Sequence, residues 1–181
     1  MSKIDGERAF LSVNIAVLTV SDSRTEANDT SGKTLVDLIV RDGHKVVDKK
    51  IVTDDKDRVV DQLKRWIADP EIDVVISTGG TGLTGRDITA EAFLSVYEKE
   101  ITGFGELFRQ LSYAKIGTST IQSRATGGLA NGTYLFALPG STSACRDAWE
   151  DILRWQLDSR HLPCNLVELM PRLLEHIKPH H

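Results

Sequence analysis

Three polar segments of the chain combine glycine, hydroxyl and carboxylate groups in a way that suits phosphate binding. They span residues 21–31, 79–87 and 139–143, and each follows a run of mostly apolar residues. Glycine lets the bare backbone approach a ligand closely, and hydroxyls with successive N–H groups can hold phosphate oxygens. Mg²⁺ binds through one or two carboxylates plus substrate phosphates, so Asp87 at the end of the second segment suits a metal–phosphate complex.

The second segment carries the most specific pattern, because GGTG directly follows the apolar run IDVVIST. Its candidate ligand-binding residues are Thr78, Gly79, Gly80, Thr81 and Gly82. The alternative is a tight turn that binds nothing. Three glycines and flanking hydroxyls at the end of a buried strand favour a ligand over that alternative.

The segment SGKT at 31–34 ends like a P-loop but matches that motif only in part. The first glycine of the P-loop pattern falls at Ala27, and Asp29 is an unfavourable neighbour for a phosphate held by backbone N–H groups. We therefore expect Lys33 to lie exposed on the first turn of a helix.

A dinucleotide-binding motif, GxGxxG, is matched by Gly80, Gly82 and Gly85. In that motif the helix begins inside the pattern, whereas here the helical residues begin after it. Asp87 would also place a carboxylate near a pyrophosphate. A nicotinamide-binding oxidoreductase is an alternative that rests on these glycines alone, and no second domain is apparent to bind its substrate.

The composition favours one domain with its own hydrophobic core. The chain has 181 residues, of which 40% are hydrophobic, and its formal net charge is -4. That balance excludes a uniformly basic chain, so we expect no nucleic-acid partner. No run approaches the roughly 18 apolar residues of a membrane-spanning helix, and residues 1–8 do not resemble the start of a signal peptide. We expect a cytoplasmic protein with no membrane partner.

The cysteines and the C-terminal histidines give no metal or disulfide pattern. Cys145 and Cys164 are far apart, which argues against a disulfide framework and against a thiolate zinc site. His176 and His180 have helical spacing, but Pro179 lies between them and would break the helix. We expect buried apolar roles for the cysteines and a frayed tail for the histidines.

Strand patterns alternate with helical patterns along the chain, which predicts an α/β fold. We expect three layers: a mostly parallel, mixed sheet with helices on both faces. Ligands of such folds bind beyond the carboxyl ends of the strands, where the three polar segments fall. Thr89 is expected to cap a helix through about Lys99, another helix is expected at 106–111, and 117–132 has no clear assignment. After Pro163 only a short helix candidate at 166–177 appears.

Several separated motifs, in order, resemble those of a known family. STGGTGLTGRDITAEA is followed by GFGELFRQLSY and then by ALPGS, and LTVSDSR with DTSGKTL stands near the start. This set resembles the MoaB/MogA family of molybdenum cofactor biosynthesis proteins, whose domain also occurs in gephyrin and in plant molybdopterin-inserting proteins. DTSGKTL, GTSTIQSRA and the late PCN are closer to MoaB than to MogA. The resemblance covers about residues 14–159.

The resemblance implies a molybdopterin ligand and, in active members, transfer of AMP from Mg-ATP to the terminal phosphate of molybdopterin. The two key aspartates of the family correspond to Asp87, after GGTG, and Asp54, in IVTDD. They would hold Mg²⁺ and act as the catalytic pair, with ATP as co-substrate. Some MoaB-type members lack the acid at the second position, so its presence here favours activity.

Further binding residues follow from the same resemblance. Ser21, Asp22 and Arg24 would contact the pterin phosphate or the nucleotide, and the helix N-terminus at Gly140, Ser141 and Thr142 would favour an anion. Glu106 belongs to GFGE, which recurs in the family, but its spacing assigns it no role.

Simpler structural roles remain open for three of these residues. Asp87 could serve only at a helix entry, Asp54 could be the N-cap of the helix that follows, and Ser141 could be only a cap.

The predicted organisation is an N-terminal extension at 1–12, a molybdopterin-binding domain at 13–162 and a C-terminal tail at 163–181. The leading hypothesis is a molybdopterin adenylyltransferase, and the alternative is a protein that binds molybdopterin without transferring AMP. The resemblance also implies a homo-trimer or homo-hexamer, and residues 103–111 are one candidate for the contact surface.

Overall fold

A computed structural model describes residues 3–177 of the chain. Its main element is a six-stranded sheet with the strand order β3-β2-β4-β7-β6-β5. The strands of this sheet are β2 (Asn14–Val20), β3 (Lys45–Val52), β4 (Val74–Thr78), β5 (Lys99–Glu100), β6 (Thr126–Ala130) and β7 (Thr133–Leu138). The helices are α1 (Thr30–Arg41), α2 (Lys56–Ile67), α3 (Thr89–Val96), α4 (Thr102–Ile116), α5 (Thr142–Ala148) and α6 (Arg154–Gln156).

The sheet is mixed, as predicted. The strands β3, β2, β4 and β7 are parallel, with Ile15 paired to Val74 and Val74 paired to Tyr134. β6 runs antiparallel to β7, and β5 runs antiparallel to β6. The α/β prediction with helices on both faces of a mostly parallel sheet is therefore confirmed.

The sheet separates two hydrophobic cores, because successive strand residues point to opposite faces. On one face Ile15, Val17 and Ile76 pack with residues of α1, α4 and α5. On the other face Leu18 and Val75 pack with residues of α2 and α3. The central strands are apolar on both sides because helices cover both sides.

Two helices differ from the prediction in their boundaries. The N-cap of α3 is Ile88 rather than Thr89, and the Thr89 backbone N–H donates to the Gly80 carbonyl at 2.8 Å. The helix ends at Val96, because Tyr97 turns into extended backbone and packs its ring against Gly128 of β6. The helix expected at 106–111 is the middle of the longer α4.

The segments without a clear sequence pattern are ordered by packing. Residues Gly117–Gln122 form a 3-10 helix and are followed by β6, and residues Val167–Arg172 form a second 3-10 helix. Val167 is buried in the first core, a contact that the weak pattern after Pro163 did not indicate. A short strand β1 (Lys3–Ile4) pairs with β8 (His161–Leu162), so the N-terminal extension contacts the chain just before the tail. His180 and Pro179 lie outside the described residues.

The carboxyl ends of β2, β4 and β7 meet at one edge of the sheet, and each is followed by one of the polar segments. The Gly79 N–H donates to the Leu138 carbonyl at 3.1 Å, which joins the second segment to the end of β7. Gly79 has a φ of +97°, and a Cβ there would collide with the Val20 carbonyl oxygen. Glycine is required at this position, since the backbone at the end of β2 lies directly against it. Within residues 3–177, no helix is long and apolar enough to cross a membrane.

Candidate functional site

A cavity of about 410 Å³ opens at the carboxyl edge of the sheet, a volume typical of small-molecule sites. One wall is the glycine loop, residues 79–82, and another is the segment that leads into α5. The remaining wall comes from α4 and the 3-10 helix that follows it. Its lining residues include Gly80, Thr81, Gly82, Asp87, Phe108, Ser112, Lys115, Ile116, Gln122, Ser123, Gly140, Ser141, Ser143 and Asp147.

Asp87 is held as a charged group at the base of this cavity. Its Oδ2 atom accepts hydrogen bonds from the Thr84 backbone N–H at 2.8 Å and from the Thr84 hydroxyl at 2.7 Å. Burial acts to raise the pKa of Asp87, but these bonds, with one from the Gly82 N–H, hold it below its ordinary value. Asp87 is not the N-cap of α3, so it serves the loop rather than the helix end.

Asp54 lies across the glycine loop from the cavity, and its pKa is shifted in the opposite direction from that of Asp87. Its Oδ2 atom accepts the Asp22 N–H at 2.8 Å, and its own N–H donates to the Asp22 carboxylate at 3.1 Å. Burial raises the pKa of Asp54, and the negative charges of Asp22 and Asp87 raise it further. The N-cap of α2 is Asp55, so Asp54 does not serve as that cap.

The glycine loop connects the two carboxylates. The Asp54 Oδ1 atom lies 3.3 Å from the position that a Cβ of Gly80 would occupy, and Asp87 Oδ2 lies 2.7 Å from the same point on Gly82. A side chain at Gly82 would therefore displace a carboxylate oxygen. One at Gly80 would collide first with the Thr89 hydroxyl and would also crowd Asp54.

The donor set suits Mg²⁺ shared with phosphate oxygens better than a metal site built from protein ligands alone. No cluster of three or more His, Cys, Asp or Glu residues within 3–177 could hold a metal. Two carboxylates do share one electrostatic field here, since the charge of Asp87 raises the pKa of Asp54. Mg²⁺ commonly takes one or two carboxylates and completes its shell with phosphates and water, so Asp54 and Asp87 fit this ion.

The helix N-terminus predicted to bind an anion faces the cavity in part. Gly140 and Ser141 line it. The Ser141 hydroxyl accepts the Ala144 N–H at 3.2 Å and so caps α5. Thr142 is not a lining residue, and its hydroxyl bonds to that of Thr30 at 3.3 Å.

The first polar segment lies beside Asp54, and none of its residues lines the cavity. The Ser21 hydroxyl accepts the N–H groups of Ser23 and Arg24, both at 3.2 Å. The Arg24 guanidinium donates to the Asn28 carbonyl at 2.8 Å, which ties it to its own loop. Asp22 forms an ion pair with Arg86 from the second segment.

Two further candidates from the sequence lie away from the cavity. Glu106 is exposed on α4 and is not a lining residue. Lys33 is exposed on α1, where it pairs with Asp37 at 3.0 Å. Asp29 caps α1 by accepting the Gly32 N–H at 3.0 Å, so a carboxylate occupies the position that a phosphate takes in a P-loop.

The α4 wall contains residues to which the sequence assigned no role. Phe108, Ser112 and Lys115 line the cavity from α4, and Gln122 and Ser123 line it from the next segment. Their motifs, GFGELFRQLSY and GTSTIQSRA, carried the family resemblance, and that recurrence was the available signal. It could not show that the two motifs form one wall, because that depends on how α4 packs.

Comparisons with known proteins agree on one family. A family model described as a probable molybdopterin binding domain matches residues 16–159. The chain is 52% identical over 165 residues to molybdenum cofactor biosynthesis protein B of Escherichia coli strain K12, covering 91% of this chain and 96% of that one.

Solved structures agree with this result. A crystal structure of molybdenum cofactor biosynthesis protein B superposes with a TM-score of 0.83 at 38% identity, covering 94% and 100% of the two chains. The tungsten cofactor synthesizing protein MoaB of Pyrococcus furiosus superposes with a TM-score of 0.70 at 34% identity, covering 91% and 96%.

Proposed function

Because the chain belongs to the molybdenum cofactor biosynthesis protein B family, we propose that it binds molybdopterin and adenylylates it with Mg-ATP. The observation that carries this proposal is the glycine loop between two carboxylates with opposite pKa shifts, beside a cavity of about 410 Å³. A raised carboxyl pKa next to other carboxylates marks a place where negative charge is only partly compensated, here by the Arg86 guanidinium. A divalent cation with phosphate ligands would complete that compensation.

The phosphate of molybdopterin is proposed to bind between the glycine loop and the start of α5. Gly80, Thr81 and Gly82 line one side of the cavity, and Gly140 with Ser141 lines another. The N–H groups of Gly80 and Thr81 would donate to the phosphate, since that of Gly82 already donates to Asp87. Backbone N–H groups hold an anion without a desolvated lysine, which explains how a chain with a net charge of -4 can bind a phosphorylated pterin. Phe108 and Ile116 supply apolar surface for the pterin ring.

Asp54 and Asp87 are the residues that would hold Mg²⁺, whose role is to neutralise charge on the triphosphate and polarise the phosphorus–oxygen bond that breaks. In the proposed reaction a terminal phosphate oxygen of molybdopterin attacks the α-phosphorus of ATP. The new bond joins that oxygen to the α-phosphorus. The bond between the α-phosphorus and the α,β-bridging oxygen breaks, and pyrophosphate leaves with that oxygen.

The protein's own contribution is to position two anionic groups in line and to donate N–H bonds to the developing charge. The N–H groups that donate these bonds come from the glycine loop on one side and from the α5 N-terminus on the other. No side-chain base is required, because the attacking phosphate oxygen already carries negative charge.

A second candidate function is binding of molybdopterin without AMP transfer. It is favoured by one observation: Asp87 lines the cavity, whereas Asp54 and Asp22 do not. The cavity could therefore hold a pterin phosphate while Asp54 and Asp22 bind nothing.

One assay separates the two functions. The protein is incubated with molybdopterin and Mg-ATP, and adenylylated pterin and pyrophosphate are quantified; we expect both in equal amounts. Asp87→Asn should remove them, and product that persists unchanged in that variant would contradict the mechanism. Saturable molybdopterin binding without product would favour the second function.

The oligomeric state and location are proposed on the same basis. We propose a homo-trimer or homo-hexamer, supported by exposed apolar residues on α4 such as Leu107, Tyr113 and Ile116. Sedimentation velocity measures this directly, and a monomer at micromolar concentration would contradict it. A cytoplasmic location is proposed because ATP, the expected co-substrate, is supplied there.

A further inference from the structure

Arg124 connects the two walls of the cavity through four separate contacts. Its Nε atom donates to the Gly82 carbonyl at 2.8 Å, and its Nη2 atom donates to the Asp87 carbonyl at 3.1 Å. Its Nη1 atom pairs with Glu91 in the first turn of α3. The Arg124 backbone N–H donates to the Thr81 carbonyl at 3.3 Å.

Apart from the ion pair between Arg86 and Asp22, the loop that Arg124 holds has little other support. Leu83 at its tip is 67% exposed, and a Cβ at Gly85 would meet no atom within 4 Å. The bonds between Thr84 and Asp87 fix the loop internally but do not attach it to the rest of the protein. Arg124 bonds to Gly82 before this turn and to Asp87 at its end, so these bonds fix the position of the Asp87 carboxylate.

Arg124 also continues the opposite wall. It follows directly after Gln122 and Ser123, which line the cavity. The next residue, Ala125, is held by Arg109 of α4, whose Nη1 atom donates to the Ala125 carbonyl at 3.0 Å. A path of contacts therefore runs from α4 through residues 122–125 to the glycine loop.

We propose that Arg124 is a positioning residue that holds the Gly82–Asp87 loop in the conformation that accepts the phosphates and the metal. This inference rests on the proposed function, because AMP transfer is the reaction that the positioned loop would support. Arg124 touches backbone carbonyls and Glu91, so it acts through the loop and not on the reacting atoms. Its positive charge also supports the ionised form of Asp87.

The guanidinium shape is what the geometry requires. Its planar fork presents N–H groups in several fixed directions and here serves two carbonyls and a carboxylate at once. A lysine ammonium keeps the charge for Glu91 but cannot reproduce that fixed fork. Arg124→Lys and Arg124→Met therefore separate the geometric contribution from the charge.

The test compares these variants with Arg109→Lys, a matched control. Arg109→Lys also alters a guanidinium–carbonyl bond in the same segment, but it does not touch the Gly82–Asp87 loop. For each protein the measurements are kcat for AMP transfer, the dissociation constant for molybdopterin, amide hydrogen exchange of residues 81–89 and the melting temperature.

For Arg124→Met we expect kcat to fall by about 100-fold, the size typical of a displacement of about 1 Å at a reacting group. The molybdopterin dissociation constant should rise by a smaller factor than kcat falls, because Gly140 and Ser141 still line the other side of the phosphate site, whereas in-line alignment of the two reactants depends on the loop. Arg124→Lys should recover part of kcat, and amide exchange of the loop should be faster in both variants.

Loop exchange equal to that of the wild type in both Arg124 variants would overturn the proposal. So would equal losses of kcat in Arg109→Lys and Arg124→Lys. If the wild type makes no adenylylated product, the proposed function fails, and the exchange data alone decide whether Arg124 holds the loop. A variant that unfolds is replaced by Glu91→Gln, which frees one arm of the fork and should accelerate loop exchange to a smaller extent.

Discussion

Both edges of the sheet carry carboxylates, but the two edges arrange them differently. At the amino edge, beside His44, Asp42 accepts the Trp149 indole N–H at 2.7 Å and pairs with Arg41 at 2.7 Å. Asp158 nearby pairs with Arg160 at 2.8 Å. Burial opposes ionisation of Asp42, but its partners hold its pKa below the ordinary value.

At the carboxyl edge the acids instead face one another. Asp54 lies against Asp22 and within the field of Asp87, and its pKa is raised even though Arg86 pairs with Asp22 and partly offsets these charges. Charges that compensate each other within the protein stabilise the fold, whereas charges left uncompensated imply an external partner. Residues of the same chemical type are thus expected to contribute to stability at one edge and to binding at the other.

Asp54→Asn should give the largest effect and sharpen this contrast. We expect AMP transfer to fall by about 100-fold or more, as for loss of a group that stabilises the transition-state charge. The free energy of unfolding at pH 7 should stay constant or rise by up to about 1 kcal/mol, the size of a surface charge interaction. A steady-state assay and urea unfolding measure both quantities.

The sign of the stability effect follows from the raised pKa. A carboxyl group whose folded pKa exceeds its unfolded value favours folding when protonated, so stability falls as pH rises through the folded pKa. Asp54→Asn removes that fall, because asparagine has no charge to lose. If Asp54→Asn clearly lowered the free energy of unfolding at pH 7, the contact between Asp54 and Asp22 would instead stabilise the fold.

The position of the three polar segments at the carboxyl edge was predictable from sequence, because glycines, hydroxyls and acids directly follow apolar strand patterns. That pattern indicated the glycine loop, and with the family resemblance it indicated Asp54 and Asp87. The α4 wall and Arg124 were not predictable, since their roles depend on tertiary packing between segments far apart in the chain. Burial of Val167 was missed for a different reason: its 3-10 helix, Val167–Arg172, is too short to show a periodic apolar pattern.

Asp42→Asn tests the amino edge and should destabilise the fold by about 2 kcal/mol, as expected for hydrogen bonds to a charged group. The substitution keeps the side-chain shape but weakens the bonds to Trp149 and Arg41. AMP transfer and molybdopterin binding should equal those of the wild type, because Asp42 lies at the opposite edge. Urea unfolding gives the stability, and a loss of activity in the folded variant would break the division between the edges.

Lys115 is the point at which the carboxyl edge departs from this division. Its ammonium pairs with Asp147 at 2.7 Å and with Asp151 at 2.9 Å, so a cation beside the cavity is already compensated. Asp147→Asn should tighten molybdopterin binding by about threefold to fivefold, since it removes a negative charge from the cavity wall. Asp151→Asn is the control: it also frees Lys115, but Asp151 does not line the cavity, so its effect should be smaller.

The smallest effect is expected from pH at the amino edge, through His44. Its Nδ1 atom accepts the Val13 N–H at 3.2 Å, which requires an unprotonated nitrogen, and the ring packs between Phe10 and Trp149. Burial lowers the pKa of His44, and the charges of Asp42 and Asp158 only partly oppose this.

A group with a depressed pKa contributes stability above its unfolded pKa and loses it as pH falls through the folded pKa. Between pH 8 and pH 6 the resulting loss should be below about 1 kcal/mol, because the unfolded histidine gains its proton over only part of that range. His44→Asn retains an acceptor for Val13 but cannot titrate, so its unfolding free energy should change less over this range. An equal pH dependence in both proteins would remove His44 from the explanation. Unchanged molybdopterin affinity in the variant would show that the stabilising edge can be altered without affecting the binding edge.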